Sequence, residues 1–168
     1  MQTYYVEKLT TSRLKADQGV IKELQDIFFR SVHGIPDLIY TPEQKAAWAP
    51  AGLSVLEWRN RLQNHTIWLA RSELTGSCLG FIELDESSDI DLLYVCPLNQ
   101  KLGIANELFD QAQYWVKNQY STKSHWYVQS SDIAYEFFLR RGFIPHKRNQ
   151  VDRGGILLEN TTMRKALS

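Results

Sequence analysis

The sequence carries no excess of charge of either sign: 19 Lys and Arg stand against 19 Asp and Glu, for a formal net charge of zero at pH 7. No global field therefore draws the chain to nucleic acid or to an anionic bilayer, and any basic site has to be local. Cysteine is scarce. Cys78 and Cys96, the two present, lack CxxC spacing and cannot build a disulfide framework, so free thiols in a reducing compartment are expected. No run approaches the roughly 18 apolar residues of a membrane span, and the stretch from Met1 to Lys8 lacks the basic-then-apolar order of a secretory leader. A cytoplasmic location without nucleic-acid or membrane partners is the expectation, under which the sequons Asn64-His65-Thr66 and Asn160-Thr161-Thr162 are coincidental. Three motifs are missing as well. His33, His65, His125 and His146 are scattered with no HExxH, so no metal site is expected. The absence of GxxxxGK[ST] and GxGxxG disfavours a P-loop or a dinucleotide fold.

What is present suffices for a core. A chain of 168 residues, 43% hydrophobic and 12% aromatic, reads as one domain spanning residues 1–168 that buries enough surface to need no staples. Thr3 to Leu9 has strand composition. Val20, Ile21, Leu24, Ile27 and Phe28 recur at helical spacing, in a helix expected to end near Gly34. Thr41-Pro42-Glu43-Gln44 has the order of a helix start, and Val55, Trp58 and Leu62 fall on one face of a further helix. From Thr66 the period changes to that of strands: 66–70, 77–84 and 90–95, joined by short turns that imply antiparallel neighbours. Ile104, Leu108, Phe109, Ala112, Trp115 and Val116 mark an amphipathic helix, and Trp126 to Val128 a short strand. Ile133, Ala134, Phe137 and Phe138 are expected on the apolar face of a helix closed by Gly142; Phe143-Ile144 and Gly155 to Met163 should be the last strands. The order implies a mixed α/β domain of the α+β kind, with a largely antiparallel sheet flanked by helices.

Chemistry concentrates where the strand ending Leu93-Tyr94-Val95 runs through Cys96-Pro97-Leu98-Asn99-Gln100-Lys101-Leu102-Gly103-Ile104-Ala105-Asn106 into a long helix. The first N–H groups of a helix have no carbonyl partner and attract anions, and small residues let a phosphate approach the backbone. Gly103 also reads simply as an aid to tight packing. Lys101 adds a positive charge. With the nucleotide fingerprints missing, the pyrophosphate of another cofactor fits best.

These residues resemble the GCN5-related N-acetyltransferase (GNAT) superfamily, whose [Arg/Gln]-x-x-Gly-x-[Gly/Ala] signature Gln100, Gly103 and Ala105 fill. A second family segment, Asn-x-x-Ala-x-x-Phe-Tyr-x-x-x-Gly-Phe, is similar to Ser131 through Phe143, with matches at Ala134, Phe137, Gly142 and Phe143. Ser131 stands where the family has a pantetheine-binding Asn, and Phe138 where it has a Tyr often assigned as general acid.

The resemblance implies a GNAT-like acyl-CoA N-acyltransferase fold, acetyl-CoA as acetyl donor, an amine acceptor, direct transfer in a ternary complex and the option of a homodimer. It assigns CoA contacts to Leu93, Tyr94, Val95, Gln100, Lys101, Leu102, Gly103, Ile104, Ala105, Asn106, Ser131 and Phe138, with Leu93 N–H as oxyanion donor. An alkylamine is mostly protonated at pH 7 and must lose a proton before attack. Asp89 and Asp91, two apart, share a face in a regular strand and are the candidate bases, or else solvated turn and strand acids. Tyr40 and Trp48 are the expected acceptor wall, with core packing as the other reading. Arg140, Arg141, Lys147 and Arg148 form a basic cluster that suits a CoA phosphate or a solvated face. The rival functions are a CoA-binding or regulatory domain with little turnover and an interaction module without CoA affinity.

Overall fold

A computed structural model describes residues 3–119 and 122–167. Its centre is a seven-stranded sheet in the order β1-β2-β3-β4-β5-β7-β6, with β1 at Tyr4–Lys8, β2 at Thr66–Ser72, β3 at Cys78–Leu84, β4 at Ile90–Val95, β5 at His125–Ser130, β6 at Ile144–Arg153 and β7 at Ile156–Ala166. All neighbours pair antiparallel except β4 and β5, which are parallel.

The alternation of side chains along β2 and β3 separates two cores. Trp68, Ala70, Ile82 and Leu84 face α5 (Ile104–Gln119) and join Leu108, Phe109, Ala112, Trp126 and Phe143. Ile67, Leu69 and Phe81 face α2 (Gln18–His33) and join Val20, Ile21, Leu24, Ile27 and Leu62. With both faces covered, every residue of β3 is buried.

The broken segment before the sheet is ordered by caps. Asp17 caps α2, Thr41 and Gln44 form a reciprocal capping box on α3 (Pro42–Trp48), and Ser54 caps α4 (Val55–Leu62). Between α2 and α3, the buried Lys45 ammonium binds the Ile35 carbonyl at 2.8 Å and the Asp37 carboxylate at 2.6 Å. This anchor fixes where α3 ends and so where Trp48 stands.

Three expectations need correction. A short helix, α1 (Thr11–Ala16), occurs where no pattern announced it; it buries only Leu14, so there is no periodicity to read. The helix expected across Ile133 to Phe138 begins later, as α6 at Tyr135–Arg140. Ser131 Oγ accepts from the Ala134 N–H and holds a turn there, leaving Ile133 half exposed. Finally, the strand expected at Phe143-Ile144 extends to Arg153, and its side chains are exposed along almost its whole length. It is ordered instead by its pairing with β7 through a turn at Gly154-Gly155, both at positive φ, which a primed hairpin turn requires.

Candidate active site

Between β4 and β5 the ladder stops almost at once: Ile90 opposite Val128 is their one register pair among the described residues. Asp89 helps fasten this closed end, accepting the Tyr127 N–H at 2.9 Å and pairing with Lys123 at 2.8 Å. Beyond it the strands part, and a cleft of about 730 Å³ opens between them. Backbone groups of β4 on that side lack a strand partner. Gly80 on β3 lets the end of β4 lie close, since a Cβ there would stand 2.9 Å from the Tyr94 carbonyl.

After β4 the chain makes a 3₁₀ turn at Pro97–Asn99 and passes through two left-handed residues, Lys101 at φ 64° and Gly103 at φ 84°. The first bond of α5 runs from the Glu107 N–H to the Gly103 carbonyl, which leaves the N–H groups up to Asn106 without helical acceptors. Gln100, Lys101, Gly103, Ile104, Ala105 and Asn106 all line the cleft, and Arg140 and Arg141 line it from the opposite side. Arg141 is held there by Asp110 at 2.9 Å and by the Asn106 side-chain oxygen at 2.6 Å. This end joins unpaired amides, a helix N-terminus and three cationic side chains, an anion-binding arrangement.

The other end is built from side chains. Glu83 and Leu92 pair across β3 and β4, and Leu84 pairs with Ile90, so Asp91 is the extra residue of a β-bulge. The bulge breaks the strand alternation, and Asp89 and Asp91 do not share a face: Asp91 lines the cleft, while Asp89 is spent at its closed end. The Arg61 guanidinium bridges Asp91 and the fully buried Glu83, lying 3.1 Å from Glu83 Oε1 and 5.5 Å from the Trp58 ring centre. His65 Nδ1 bonds the same Glu83 carboxylate, which raises the imidazole pKa above its ordinary value. Ligating atoms of His65, Glu83 and Asp91 lie within 4.8 Å of one another, and the cation shared by the two carboxylates is Arg61. The association of His65 with two acids was not foreseen from its position in the chain.

Trp48 and Tyr94 both line the cleft. Tyr94 packs edge-on to Phe28 at 5.2 Å, and burial raises its pKa. Tyr40 is not a lining residue. It packs edge-on behind Trp48 at 5.3 Å, and its hydroxyl accepts the Asp132 N–H at 3.0 Å. Leu93, Val95, Ser131 and Phe138 line the cleft as well, whereas Leu102 does not. Phe138 is 3% exposed and wedged between Phe137 and Phe143. Gln129 and Glu136 are lining residues that the sequence had not singled out. Both cysteines are buried and free, and burial pushes the Cys78 thiol up to about 12.

Residues 37–167 match the acetyltransferase (GNAT) domain family. The chain is 31% identical over 146 residues to the uncharacterized N-acetyltransferase YafP of Escherichia coli K12, covering 87% of this chain and 89% of that protein. It is similar in structure to a GCN5-related N-acetyltransferase from Rhodopseudomonas palustris, with a TM-score of 0.81 and 28% identity over 99% of this chain and 97% of that one. The fold is shared with the PaiA N-acetyltransferase of Thermoplasma acidophilum, solved in complex with coenzyme A, at a TM-score of 0.68 and 21% identity over 98% and 99% of the two chains. The chain belongs to the GCN5-related N-acetyltransferase superfamily.

Proposed function

We propose that this chain is an acetyl-CoA-dependent N-acetyltransferase acting on a primary amine by direct transfer within a ternary complex. The observation that carries the reading is the parting of β4 from β5 next to a left-handed loop that feeds the N-terminus of α5, all along one cleft. Acetyl-CoA supplies an acyl group activated as a thioester. The residues present fit it: N–H groups without helical acceptors up to Asn106 suit a pyrophosphate, Lys101, Arg140 and Arg141 suit its negative charge, and the β4 edge from Leu93 to Val95, beyond the pairing with β5, suits an amide-bearing arm. Ser131 and Phe138 border the same path from the β5 side.

In this reading the Leu93 N–H donates to the reacting carbonyl oxygen as negative charge develops there. Asp91, the cleft carboxylate at the bulge, attracts the acceptor ammonium and takes its proton directly or through water. Asp89, tied to Lys123 and Tyr127, serves the framework instead. Trp48 forms the acceptor wall with Tyr40 bracing it from behind. Phe138 has no proton to give, so the thiolate leaves without a tyrosine acid at this position; a thiol pKa of about 8.5 makes that departure feasible at neutral pH. Calorimetry with acetyl-CoA, followed by thiol release on a panel of primary amines, tests the proposal. Binding with amine-dependent thiol release is expected. Binding without release from any amine would favour a CoA-binding regulatory domain, and no binding would sink both.

A further inference from the structure

Gln129 is the first residue of β5 past its pairing with β4, and it is exposed on the cleft. Its side chain is nonetheless held. Gln129 Oε1 accepts from Thr162 Oγ1 at 2.8 Å and from Asn149 Nδ2 at 3.1 Å. Thr162 Oγ1 at 2.8 Å and Asn160 Oδ1 at 2.9 Å also lie within hydrogen-bond distance of Asn149 Nδ2, whose two protons are shared among the three acceptors. In this arrangement the Thr162 hydroxyl accepts from Asn149 and gives its single proton to Gln129 Oε1, so the Gln129 carboxamide turns its oxygen to the network. The register explains the geometry: Gln129 pairs with Thr162 across β5 and β7, and Asn160 with Asn149 across β7 and β6. Three strands thus lock one amide. Both N–H groups of Gln129 Nε2 are left without a bonded partner among the described residues.

Resting on the N-acetyltransferase reading, we propose that Gln129 selects acceptors that carry an uncharged carbonyl oxygen beside the amine, as an amino amide does, with Asn149 and Thr162 as its positioning residues. The polarity of the site supports this class. No member of the network is ionised, and the nearby Arg148 is engaged by Asp132 and Glu159. Carboxylates are bound best by free guanidinium groups, whereas a fixed neutral donor suits a neutral oxygen. Across the cleft, Trp48 and Ile35 offer apolar surface and Asp91 offers a carboxylate to an ammonium.

The test compares phenylalaninamide, phenylalanine and 2-phenylethylamine as acceptors, with acetyl-CoA affinity measured in parallel by calorimetry. Because the amide group also makes the neighbouring amine less basic, the readout is the change in the amide-to-amine ratio of kcat/KM between wild type and variant, about five-fold for one neutral hydrogen bond, and wild type should use the carboxylate less well than the amide. Gln129→Ala should lower the amide-to-amine ratio about five-fold from its wild-type value. Gln129→Glu keeps the shape but replaces the donors by acceptors, and should push the ratio below that of Gln129→Ala. Asn149→Ala should lower the ratio through KM, with kcat for the amide retained, because it frees the Gln129 side chain without removing it. A ratio that Gln129→Ala leaves unchanged overturns the assignment while leaving the acetyltransferase reading intact. Absence of acetyl-CoA binding overturns both.

Discussion

The two ends of the cleft are built by opposite means. The loop end takes its backbone groups from one stretch of chain, Leu93 to Asn106, with directions set by φ at Lys101 and Gly103, and Arg140 and Arg141 add charge from the other side. The Asp91 end gathers side chains from α2, α3, α4, β3, β4 and β5, and it depends on charge pairing and ring packing. A site made of backbone tolerates many side-chain changes but not a change of backbone conformation; a site made of side chains behaves the other way round.

The largest effect should follow from Glu83→Ala. It strips a fully buried carboxylate from between Arg61 and His65, and removing one partner of a buried ion pair costs about 3–5 kcal/mol. Urea unfolding measures this, and acetyl-CoA affinity in the folded fraction should stay near that of wild type. A loss under about 1 kcal/mol, on the scale of a surface pair, would show that Glu83 is not the hub of the cluster.

Gly103→Glu attacks the opposite end, combining a left-handed backbone that suits glycine with a carboxylate at an anion site. Acetyl-CoA affinity should fall about 100-fold, equivalent to about 2.7 kcal/mol, by calorimetry. Equal affinity in a folded variant would remove the phosphate assignment. Trp48→Ala should separate the ends more gently, raising the acceptor KM about ten-fold while acetyl-CoA affinity stays within two-fold. If both constants move together, Trp48 is framework for the whole cleft.

The smallest effect concerns pH. His65 has a raised pKa because Glu83 accepts its hydrogen bond. The stabilisation is therefore fully present below the unfolded imidazole value, near 6.5, and is lost as pH rises through the higher folded value. Urea midpoints of wild type and His65→Gln should lie furthest apart in mild acid and draw together in alkali. A gap that widens with pH would reverse the sign and place the proton elsewhere.

The same contrast explains what could be read in advance. Gln100, Gly103 and Ala105 lie within six residues, and a signature of that kind is visible because the function and its spacing are both local. The amphipathic helix from Ile104 and the strands around it were legible for the same reason. Glu83, His65 and Arg61 lie on three different elements, and only pairing register and helix packing bring them together. The bulge that separates Asp89 from Asp91 also belongs to the register and not to composition. Gln129 and the length of β6 beyond Ile144 escaped notice because their order comes from cross-strand amides and backbone pairing, with no apolar alternation to mark it. Tyr40 packs against Trp48 and does not itself line the cleft, a difference of layer that sequence position does not carry.

The early divergence of β4 and β5 means that the sheet has four edges: β1 and β6 outside, and two more facing each other inside the molecule. Open edges invite other chains, and outer ones are commonly blunted by charge or a bulge. The inner pair is guarded by geometry. An extended chain bonding to both edges needs them about 9–10 Å apart, twice the ordinary strand spacing. At Ile90 and Val128 the strands are still directly paired. A guest can therefore enter only from the open end, and only as far as the gap has doubled, so the angle of parting acts as a depth stop that meters how far a slender chain can reach.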